Sequence, residues 1–389
     1  MRILVTAPAG LGHVHPMIPL ACALQDRGHE VLCATGAEGG TWIEAAGLRW
    51  VKVGLNVEEA SQEFWRRHPD VRVLPPQDIP NAMFAGRFGA VAAPAMLADL
   101  LPLAREWRPE LVLHDAAELA GPIVAGVLNV ANVCKSFGPL LPRQRIAAAD
   151  DVVAPLWRAE GLEPRPYAGC YDHLYLDIYP RGLQPALGDY IRRSHPLRPV
   201  PYDATSDVDA ADVPVPAGGE DLPLVYLTMG TVFNDPAVLR PIVDALAALP
   251  IRLLVTVGPG GDPAAMGDQP DNVRVERYVA QSLVLRRCQA VISHGGSGTT
   301  LATLALGLPQ LSLPQGADQF DNARAVAGAG AGLALIPSEA DADAIVAAVK
   351  RLLTEESFRE NAQRIADEIA SMPGPNEVAA VLETQASLP

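Results

Sequence analysis

Basic residues are scarce in this sequence. Lys and Arg number 30 against 45 Asp and Glu, only three of the 30 are lysines, and the formal net charge at pH 7 is −15. No basic stripe or cluster is visible along the chain. Because a surface for nucleic acid needs such a stripe, the charge balance argues against a nucleic-acid partner. An anionic ligand would have to be held by local hydrogen-bond donors, against the overall field.

Long apolar runs and paired cysteines are also lacking. The most apolar later stretch, Leu119–Cys134, is interrupted by Pro122 and Asn129 and is too short to span a bilayer. The N-terminus leads directly into a patterned strand, unlike a signal peptide. The five cysteines include no CxxC pair. We therefore expect a soluble, cytoplasmic protein with reduced cysteines and no membrane partner.

The sequence contains two successive regions of α/β pattern. Its 389 residues are 49% hydrophobic, with a mean hydropathy of +0.14, which is enough for two cores. Apolar strands alternate with helical segments from Arg2 onward, and the alternation starts again at Leu224 after a stretch rich in Pro, Asp and Gly. This pattern predicts an α/β protein with two Rossmann-like, doubly wound parallel-sheet domains. We place the first domain at residues 1–200, a linker at 201–222, the second domain at 223–372 and a C-terminal helix at 373–389.

Three local features of the first region allow further structural predictions. Pro16 suits the first position of a helix that continues to Arg27. Gly54–Gly89 mixes charges, prolines and aromatic residues, which predicts a long irregular insert before a helix at Ala90–Trp107. Four tyrosines recur every four residues between Tyr167 and Tyr179, and core packing is the simpler explanation for them.

The segment His294-Gly-Gly-Ser-Gly-Thr299 follows a short apolar strand that ends at Ser293 and precedes a helix expected to open near Thr299. It matches neither GxGxxG nor GxxxxGK[ST]. Glycines let the backbone approach a bulky anion, and the N-terminus of a helix offers unpaired N–H groups. The hydroxyls of Ser297 and Thr299 add further donors. The segment predicts a diphosphate site; a plain glycine turn before a helix is the alternative.

His13 and Asp115 each follow an apolar strand of the first region, so both should emerge at the carboxyl edge of one sheet, where ligands bind. A helix N-terminus would keep the His13 ring neutral, the form that a general base needs. A carboxylate that accepts from one imidazole nitrogen fixes the tautomer and stabilises the imidazolium. The alternatives are a loop histidine satisfied by backbone and a helix cap at Asp115.

Polar residues also follow strands in the second region. Thr231 comes directly after its first strand, and Asp318-Gln319 opens a helix with an acid and an amide that together suit a polyol. A helix cap is the alternative for Asp318. Two DxD sequences, Asp207-Val-Asp209 and Asp341-Ala-Asp343, lie in the linker and at a helix start, so we expect no metal site.

With these residues assembled, the chain resembles the inverting, nucleotide-sugar-dependent glycosyltransferases of family 1, which include bacterial natural-product enzymes. The resemblance covers nearly the whole length. It is strongest in Gly10-Leu-Gly-His13-Val-His-Pro16 and in the run Arg277–Asn322, which contains Gly307-Leu-Pro-Gln310 and Pro314-Gln-Gly-Ala-Asp-Gln319. It implies a GT-B fold, in which two such domains face each other across a cleft and the last helix crosses back to the first.

The resemblance also implies roles for individual residues. His13 matches the general base and Asp115 the acid that orients it. The residues that match donor contacts are Gly12, Thr231, Tyr278, Val279, His294, Gly296, Ser297, Gly298, Thr299, Asp318 and Gln319. Tyr278-Val-Ala280-Gln281 lacks the proline that relatives often have there, which leaves thymine versus uracil open. Apolar candidates for binding a flat acceptor in the first domain are Phe64, Trp65, Phe84, Phe88 and Phe137.

The expected activity is inverting transfer of a hexosyl-type sugar, with a dTDP-deoxysugar favoured over a UDP-sugar, to a hydroxyl of a hydrophobic natural product. Nitrogen or carbon acceptors stay open, as does a homodimer. No metal and no cofactor are expected, since the nucleotide sugar is a co-substrate. A catalytically silent nucleotide-sugar-binding accessory protein and a nucleotide-sugar epimerase of similar fold are the alternatives. The accessory protein would lack a general base, whereas His13 and Asp115 are both present. The epimerase would need additional acidic groups near the sugar, and we do not find them in the sequence.

Overall fold

The structure is a computed structural model that describes residues 1–76, 78–184, 186–202, 213–219, 221–230, 236–258 and 260–385. The chain divides into two compact units. Unit 1 consists of Met1–Tyr179, Ala186–Ala204 and Met372–Pro389, and unit 2 of Pro180–Pro185 and Thr205–Ser371.

Unit 1 contains a seven-stranded parallel sheet with strand order β3-β2-β1-β4-β5-β6-β7. The order reverses between β1 and β4, and such switch points leave a crevice at the carboxyl ends of the strands. Apart from Arg2, the residues of the central strands β1 and β4 are buried and mostly apolar, as expected for a sheet covered on both sides. The strands are β1 (Arg2–Thr6), β2 (Glu30–Thr35), β3 (Arg49–Lys52), β4 (Leu111–Asp115), β5 (Ala131–Lys135), β6 (Leu174–Asp177) and β7 (Ser194–Pro196).

Helices connect these strands. They are α1 (Leu11–Asp26), α2 (Ala37–Ala45), α3 (Val57–Arg67), α4 (Ile79–Met83), α5 (Ala93–Trp107), α6 (Gly121–Leu128), α7 (Arg143–Ala147) and α8 (Asp150–Ala159). A 3₁₀ turn spans Pro69–Val73 and another spans Pro166–Gly169, while a π-helical segment, Phe84–Ala92, joins α4 to α5.

Two of the predicted details of the first region are wrong. Gly54–Gly89 is mostly helical, since α3, a 3₁₀ turn, α4 and the π-helical segment occupy it. Its local signal is the capping box at the start of α3, in which Asn56 and Glu59 bond each other's backbone N–H groups. Pro16 does not open α1, which begins at Leu11 after Gly10 and carries Pro16 in its interior. The proline therefore interrupts the helical hydrogen bonding and does not start it.

Ile79–Trp107 forms one continuous helical stretch across α4, the π-helical segment and α5. Among the described residues it is the one helix long and apolar enough to cross a membrane by length and composition, and 44% of its most apolar window is buried inside the protein. Gly86 lets this stretch approach α3, because a Cβ there would lie 2.6 Å from Cε2 of Phe64. The stretch also packs against α6, which is the behaviour of a core helix.

Unit 2 contains a six-stranded parallel sheet with strand order β10-β9-β8-β11-β12-β13, and its switch point lies between β8 and β11. The strands are β8 (Leu224–Thr228), β9 (Arg252–Thr256), β10 (Val273–Glu276), β11 (Ala290–Ser293), β12 (Gln310–Ser312) and β13 (Gly332–Ala334). The helices are α9 (Pro236–Ala247), α10 (Gln281–Leu285), α11 (Ser297–Leu304), α12 (Gln319–Gly328), α13 (Ala342–Thr354) and α14 (Glu356–Ser371).

The last helix, α15 (Pro375–Gln385), belongs to unit 1 and packs against α1. Glu383 accepts two hydrogen bonds from the Arg27 guanidinium, at 2.9 and 2.8 Å, and lies 3.0 Å from Nε2 of His29. The apolar face of α15, with Val378, Ala379 and Leu382, is fully buried. Burial of this face, more than the exposed ion pair, holds the helix in place.

The two parallel α/β sheets confirm the predicted fold class. The boundaries proposed for the linker stay a prediction, because half of residues 201–222 lie outside the described part of the chain.

Candidate active site

His13 and Asp115 form a hydrogen-bonded pair at the switch point of unit 1. Nδ1 of His13 lies 3.0 Å from Oδ1 of Asp115, whose side chain is fully buried, while 18% of the His13 side chain is exposed. His13 is in the first turn of α1, which follows β1, and Asp115 is the last residue of β4. The two strands are neighbours, with Thr6 opposite His114, so the chain brings the pair together through the sheet.

The hydrogen bonds of Asp115 decide which nitrogen of His13 carries the proton. The carboxylate can only accept, so Nδ1–H of neutral His13 is the donor. Oδ1 also accepts from the backbone N–H of Ala117 at 2.8 Å, which fixes the carboxylate. Nε2 therefore keeps its lone pair, and nothing else in the described part of the chain bonds it. This is the arrangement of a general base with an orienting acid.

Buried groups surround Asp115. Burial lowers the pKa of Lys135 to about 8 and the pKa of His114 to about 4, and the charge of Asp115 acts in the opposite direction on both. The Lys135 ammonium donates to the carbonyl of Ser136 at 3.1 Å, and Nδ1 of His114 bonds the carbonyl of Asp115 at 2.9 Å. Lys135 is thus close enough to Asp115 for the two charges to interact, although its ammonium bonds a backbone carbonyl and not the carboxylate.

Two aromatic rings contact the imidazole of His13. The ring of Phe137 lies 4.7 Å from it and the ring of Phe88 lies 5.5 Å from it, both edge-to-face. Both phenylalanines are partly exposed. They form an apolar wall beside His13, as a flat hydrophobic acceptor would require.

The ring contacts of the other three apolar candidates are with residues other than His13. Phe84 contacts Phe88 at 5.7 Å but is almost fully buried. Phe64 is completely buried in a small cluster with Ala60 and Val71, and its ring contacts that of Trp65 at 4.9 Å. Trp65 is partly exposed and carries the guanidinium of Arg72 over its ring. The structure thus brings Phe88 and Phe137 to His13, and it encloses Phe64 within the packing between α3 and the π-helical segment.

In unit 2, the glycine-rich segment after β11 leads into the N-terminus of α11. Gly296 is the N-cap, so α11 begins at Ser297, two residues before the expected start at Thr299. Thr300 N–H bonds the carbonyl of Gly296, whereas no acceptor in the described part of the chain bonds the N–H groups of Gly298 and Thr299. Two backbone N–H donors without an acceptor, at the positive end of a helix dipole, are able to bind an anion.

His294 lies beside this helix tip, between two glycines. A Cβ on Gly230 would lie 2.5 Å from Cε1 of His294, and a Cβ on Gly296 would lie 2.5 Å from its Nε2. Burial lowers the pKa of His294, while Asp318 and a hydrogen bond with the backbone of Thr228 act in the other direction. The glycines leave the space that the ring occupies, and only a residue without a side chain fits on either side of it.

A second polar network joins the start of α11 to α12. Oδ2 of Asp318 accepts from Oγ of Ser297 at 2.5 Å and from its backbone N–H at 3.3 Å. Nδ2 of Asn322 donates to that same Oδ2 at 2.9 Å and to Oγ of Ser297 at 3.0 Å. The Asp318 carboxylate thereby occupies the first N–H of α11, while the next two stay open.

The remaining donor-site candidates are dispersed. Oε1 of Gln319 accepts from the N–H groups of Gln315 and Gly316, at 2.7 and 3.0 Å. The amide nitrogen of Gln319 is therefore the atom that remains available to a ligand. Tyr278 is 45% exposed, and Val279 packs partly against an apolar cluster of unit 2. Gly12 lies in the first turn of α1, in unit 1, with nothing within 4 Å of a Cβ there. Thr231 lies outside the described residues.

Sequence reasoning assigned no role to Asn322 or Gln281. Asn322 is fully buried and connects Ser297 with Asp318, and Nε2 of Gln281 donates to Oγ1 of Thr299 at 3.1 Å. The spacing of Asp318 and Asn322, four residues apart on a helix, was the available signal.

Among the described residues, no three His, Cys, Asp or Glu side chains cluster in a way that could hold a metal ion. Asp341 caps α13 by accepting from Ala344 N–H at 2.8 Å.

Comparison with known proteins places the chain in a family. The family model described as "Erythromycin biosynthesis protein CIII-like, N-terminal domain" matches residues 22–209, and its C-terminal counterpart matches residues 240–385. L-demethylnoviosyl transferase of Streptomyces niveus is 35% identical over 385 residues, which is 97% of each chain. Elloramycin glycosyltransferase ElmGT of Streptomyces olivaceus is 33% identical over all of this chain and 98% of its own.

Solved structures agree with this assignment. Spinosyn rhamnosyltransferase SpnG has a TM-score of 0.81 and 30% identity, covering 98% of this chain and 100% of its own. The two parallel-sheet units correspond to those of the GT-B fold. The chain therefore belongs to the erythromycin biosynthesis protein CIII-like family and is a GT-B glycosyltransferase of natural-product biosynthesis.

Proposed function

We propose that the protein transfers a deoxysugar from a dTDP-linked donor to a hydroxyl of a hydrophobic natural-product aglycone, with inversion at the anomeric carbon and with His13 as general base. The observation that carries this proposal is the pair of His13 and Asp115, in which Nδ1 is bonded and Nε2 keeps its lone pair. A base in this state is ready to take a proton from an attacking hydroxyl.

In the proposed step, the acceptor oxygen bonds to the anomeric carbon as the bond from that carbon to the diphosphate oxygen breaks. The hydroxyl proton passes to Nε2 of His13, and the carboxylate of Asp115 stabilises the imidazolium that forms. The diphosphate leaves with the electron pair of the broken bond. The open N–H groups of Gly298 and Thr299 stabilise the charge that builds on it, and the neutral ring of His294 lies beside them.

The choice of donor is supported by the relatives. SpnG has been solved with thymidine diphosphate and, separately, with spinosyn aglycone. VinC, with a TM-score of 0.82, 27% identity and 99% of each chain covered, has been solved with dTDP. Relatives at 35% and 33% identity bear the names of an L-demethylnoviosyl transferase and an elloramycin glycosyltransferase. The donor contacts proposed for this chain are His294, Gly296, Ser297, Gly298, Thr299, Asp318 and Gln319, with Tyr278 and Val279 toward the base.

The acceptor side is supported by the wall that Phe88 and Phe137 form beside His13. An oxygen bonded to Nε2 would lie next to these rings, so an aromatic or polyketide-like aglycone fits better than a sugar or a peptide.

The test combines donor binding with transfer. Calorimetry should show that dTDP binds more tightly than UDP, and mass spectrometry of reactions with dTDP-deoxysugars and polyketide or phenolic acceptors should detect a glycoside. Proton NMR coupling at the anomeric position should show inversion. His13→Ala should abolish transfer and leave dTDP affinity within a factor of about two, since base and diphosphate site lie in different units. His195→Ala is the matched control and should retain transfer. Wild-type turnover by His13→Ala would refute the assignment of the base.

A further inference from the structure

The guanidinium of Arg87 is a cation near the His13–Asp115 pair. The proposed transfer reaction assigns no role to it. It lies in the π-helical segment and its side chain is mostly enclosed. Among the described residues, no carboxylate oxygen lies within 4.0 Å of its guanidinium, whereas Arg66, Arg67 and Arg105 all have such partners. Its one hydrogen bond within the described part of the chain, from Nη2 to the carbonyl of Val57, is long at 3.4 Å.

Arg87 lies against one of the two phenylalanines that we propose as the acceptor wall. Its guanidinium carbon lies 5.5 Å from the ring centroid of Phe88, and that same ring lies 5.5 Å from the imidazole of His13. A Cβ on Gly10 would be 3.6 Å from Cδ2 of His13 and 3.7 Å from Cγ2 of Val57, so both side chains lie close to Gly10. The Phe88 ring therefore contacts both the Arg87 guanidinium and the His13 imidazole.

A structural role at α3 does not account for this cation. Glu38 accepts from the N–H of Val57 at 3.2 Å, and its charge acts on Arg87 without forming an ion pair. The first turn of α3 is already satisfied by the capping box of Asn56 and Glu59. The long bond from Arg87 to Val57 therefore adds little to the helix.

Burial of a guanidinium removes hydration that a single long hydrogen bond does not replace, and burial lowers the pKa of Arg87. Arginine stays protonated at neutral pH and presents five N–H donors in a planar fork. Because only one of them is used, the rest can bond an oxyanion in the bidentate geometry that guanidinium groups favour.

We propose that Arg87 binds an acidic oxygen of the acceptor, such as a carboxylate or the ionised oxygen of a phenol or enol, while another hydroxyl of the same molecule is presented to His13. The aglycone would then be a flat, hydrophobic molecule with an anionic group at a distance from the glycosylated hydroxyl. This inference rests on the proposed function, since it assumes that the acceptor binds beside His13.

Direct binding tests it without any sugar transfer. The probes are 6-hydroxy-2-naphthoate and 2-naphthol, two flat fluorescent phenols that differ in one carboxylate, titrated at pH 7 into wild type and into variants with Gln or Lys at position 87. Wild type should bind the naphthoate about tenfold more tightly than the naphthol, the effect of one charge-assisted hydrogen bond. Arg87→Gln should remove this preference and leave naphthol affinity unchanged, and Arg87→Lys should retain part of it.

Arg105→Gln is the matched control, because Arg105 lies on the same continuous helical stretch and pairs with Glu160 at the surface. It should leave both affinities unchanged. The inference is overturned if wild type binds neither probe or shows no preference, if Arg87→Gln keeps the preference, or if it weakens both probes equally. A preference that depends on Arg87 in a protein that transfers no sugar would uphold the anion site while refuting the proposed function.

Discussion

Nδ1 of His13 and Oδ1 of Asp115 lie 3.0 Å apart although the residues are separated by 102 positions in the chain. The contact follows from sheet topology, because β1 and β4 are parallel neighbours whose carboxyl ends lie together. Asp115 has no exposed side-chain surface, and its Oδ2 has no hydrogen-bond partner within the described part of the chain. A buried carboxylate in this state costs free energy, which an imidazolium at His13 would offset.

Asp115→Asn should therefore lower kcat by about 10²- to 10⁴-fold with little change in dTDP affinity. The amide keeps the shape of the carboxylate but removes the charge that stabilises the imidazolium, and one of its orientations favours the wrong tautomer of His13. Steady-state kinetics and calorimetry measure the two effects.

The control for this variant is Asp99→Asn, which changes a carboxylate that accepts from Gly54 N–H at 2.9 Å in the same unit. It should keep the wild-type kcat. A kcat for Asp115→Asn within threefold of wild type would show that Asp115 only holds the backbone of Ala117 in place.

Gly296→Ala should weaken dTDP binding by about tenfold or more. The backbone of Gly296 is extended and open to any residue, but the new Cβ would meet Nε2 of His294 at 2.5 Å, so the ring must move away from the helix tip. Loss of one hydrogen bond to a charged phosphate accounts for the expected change. Calorimetry with dTDP measures it.

Gly328→Ala provides the comparison, since it adds the same methyl group in unit 2 where nothing lies within 4 Å. Its dTDP affinity should match that of wild type. Equal affinities for wild type and Gly296→Ala would mean that the position of the His294 ring does not matter for the diphosphate.

The structural features that depend on local sequence pattern were predicted well. Strands β1 and β11 were found because buried parallel strands are short, continuous apolar runs. Proximity of His13 and Asp115 followed from a general rule about strand ends. The same reasoning could indicate an anion site at α11, because the glycines and the helix start are adjacent in the chain.

What depends on packing between distant residues was not accessible in this way. Phe64 and Phe88 look alike in sequence, yet Phe64 is enclosed because Gly86 lets two helices meet over it, while Phe88 contacts His13. The helical nature of Gly54–Gly89 was missed because charges and prolines obscured the spacing of its few buried residues. The role of Asn322 as a bridge required the fold, since Ser297 is 25 residues away.

Asn322→Asp should raise the KM for the nucleotide sugar and destabilise unit 2 in a pH-dependent way. The substitution removes both hydrogen bonds that Nδ2 donates and puts a second carboxylate next to Asp318. Neighbouring carboxylates raise the pKa of one of them above its unfolded value, so the folded protein takes up a proton more readily. The deficit in unfolding free energy should be about 1 to 3 kcal/mol at pH 7.5 and smaller at pH 5.

Urea denaturation at the two pH values measures this difference, and Asn322→Ala supplies the comparison. The alanine variant loses the same bonds without adding a charge, so its deficit should not shrink at pH 5. If the two variants show the same pH dependence, Asn322 does not contact the Asp318 carboxylate in solution.

His114 should contribute to loss of stability in acid. Burial lowers its pKa to about 4 in the folded protein, against about 6.5 in an unfolded chain. Between these values the unfolded chain binds a proton that the folded one does not, so this group reduces stability progressively as pH falls from 6.5 to 4. The reduction is about 2 kcal/mol at pH 5. In urea denaturation, His114→Leu should lose less stability than wild type between pH 7 and pH 5, whereas Leu113→Ala should be destabilised equally at both. An unchanged pH dependence in His114→Leu would mean that the ring is hydrated in the folded state.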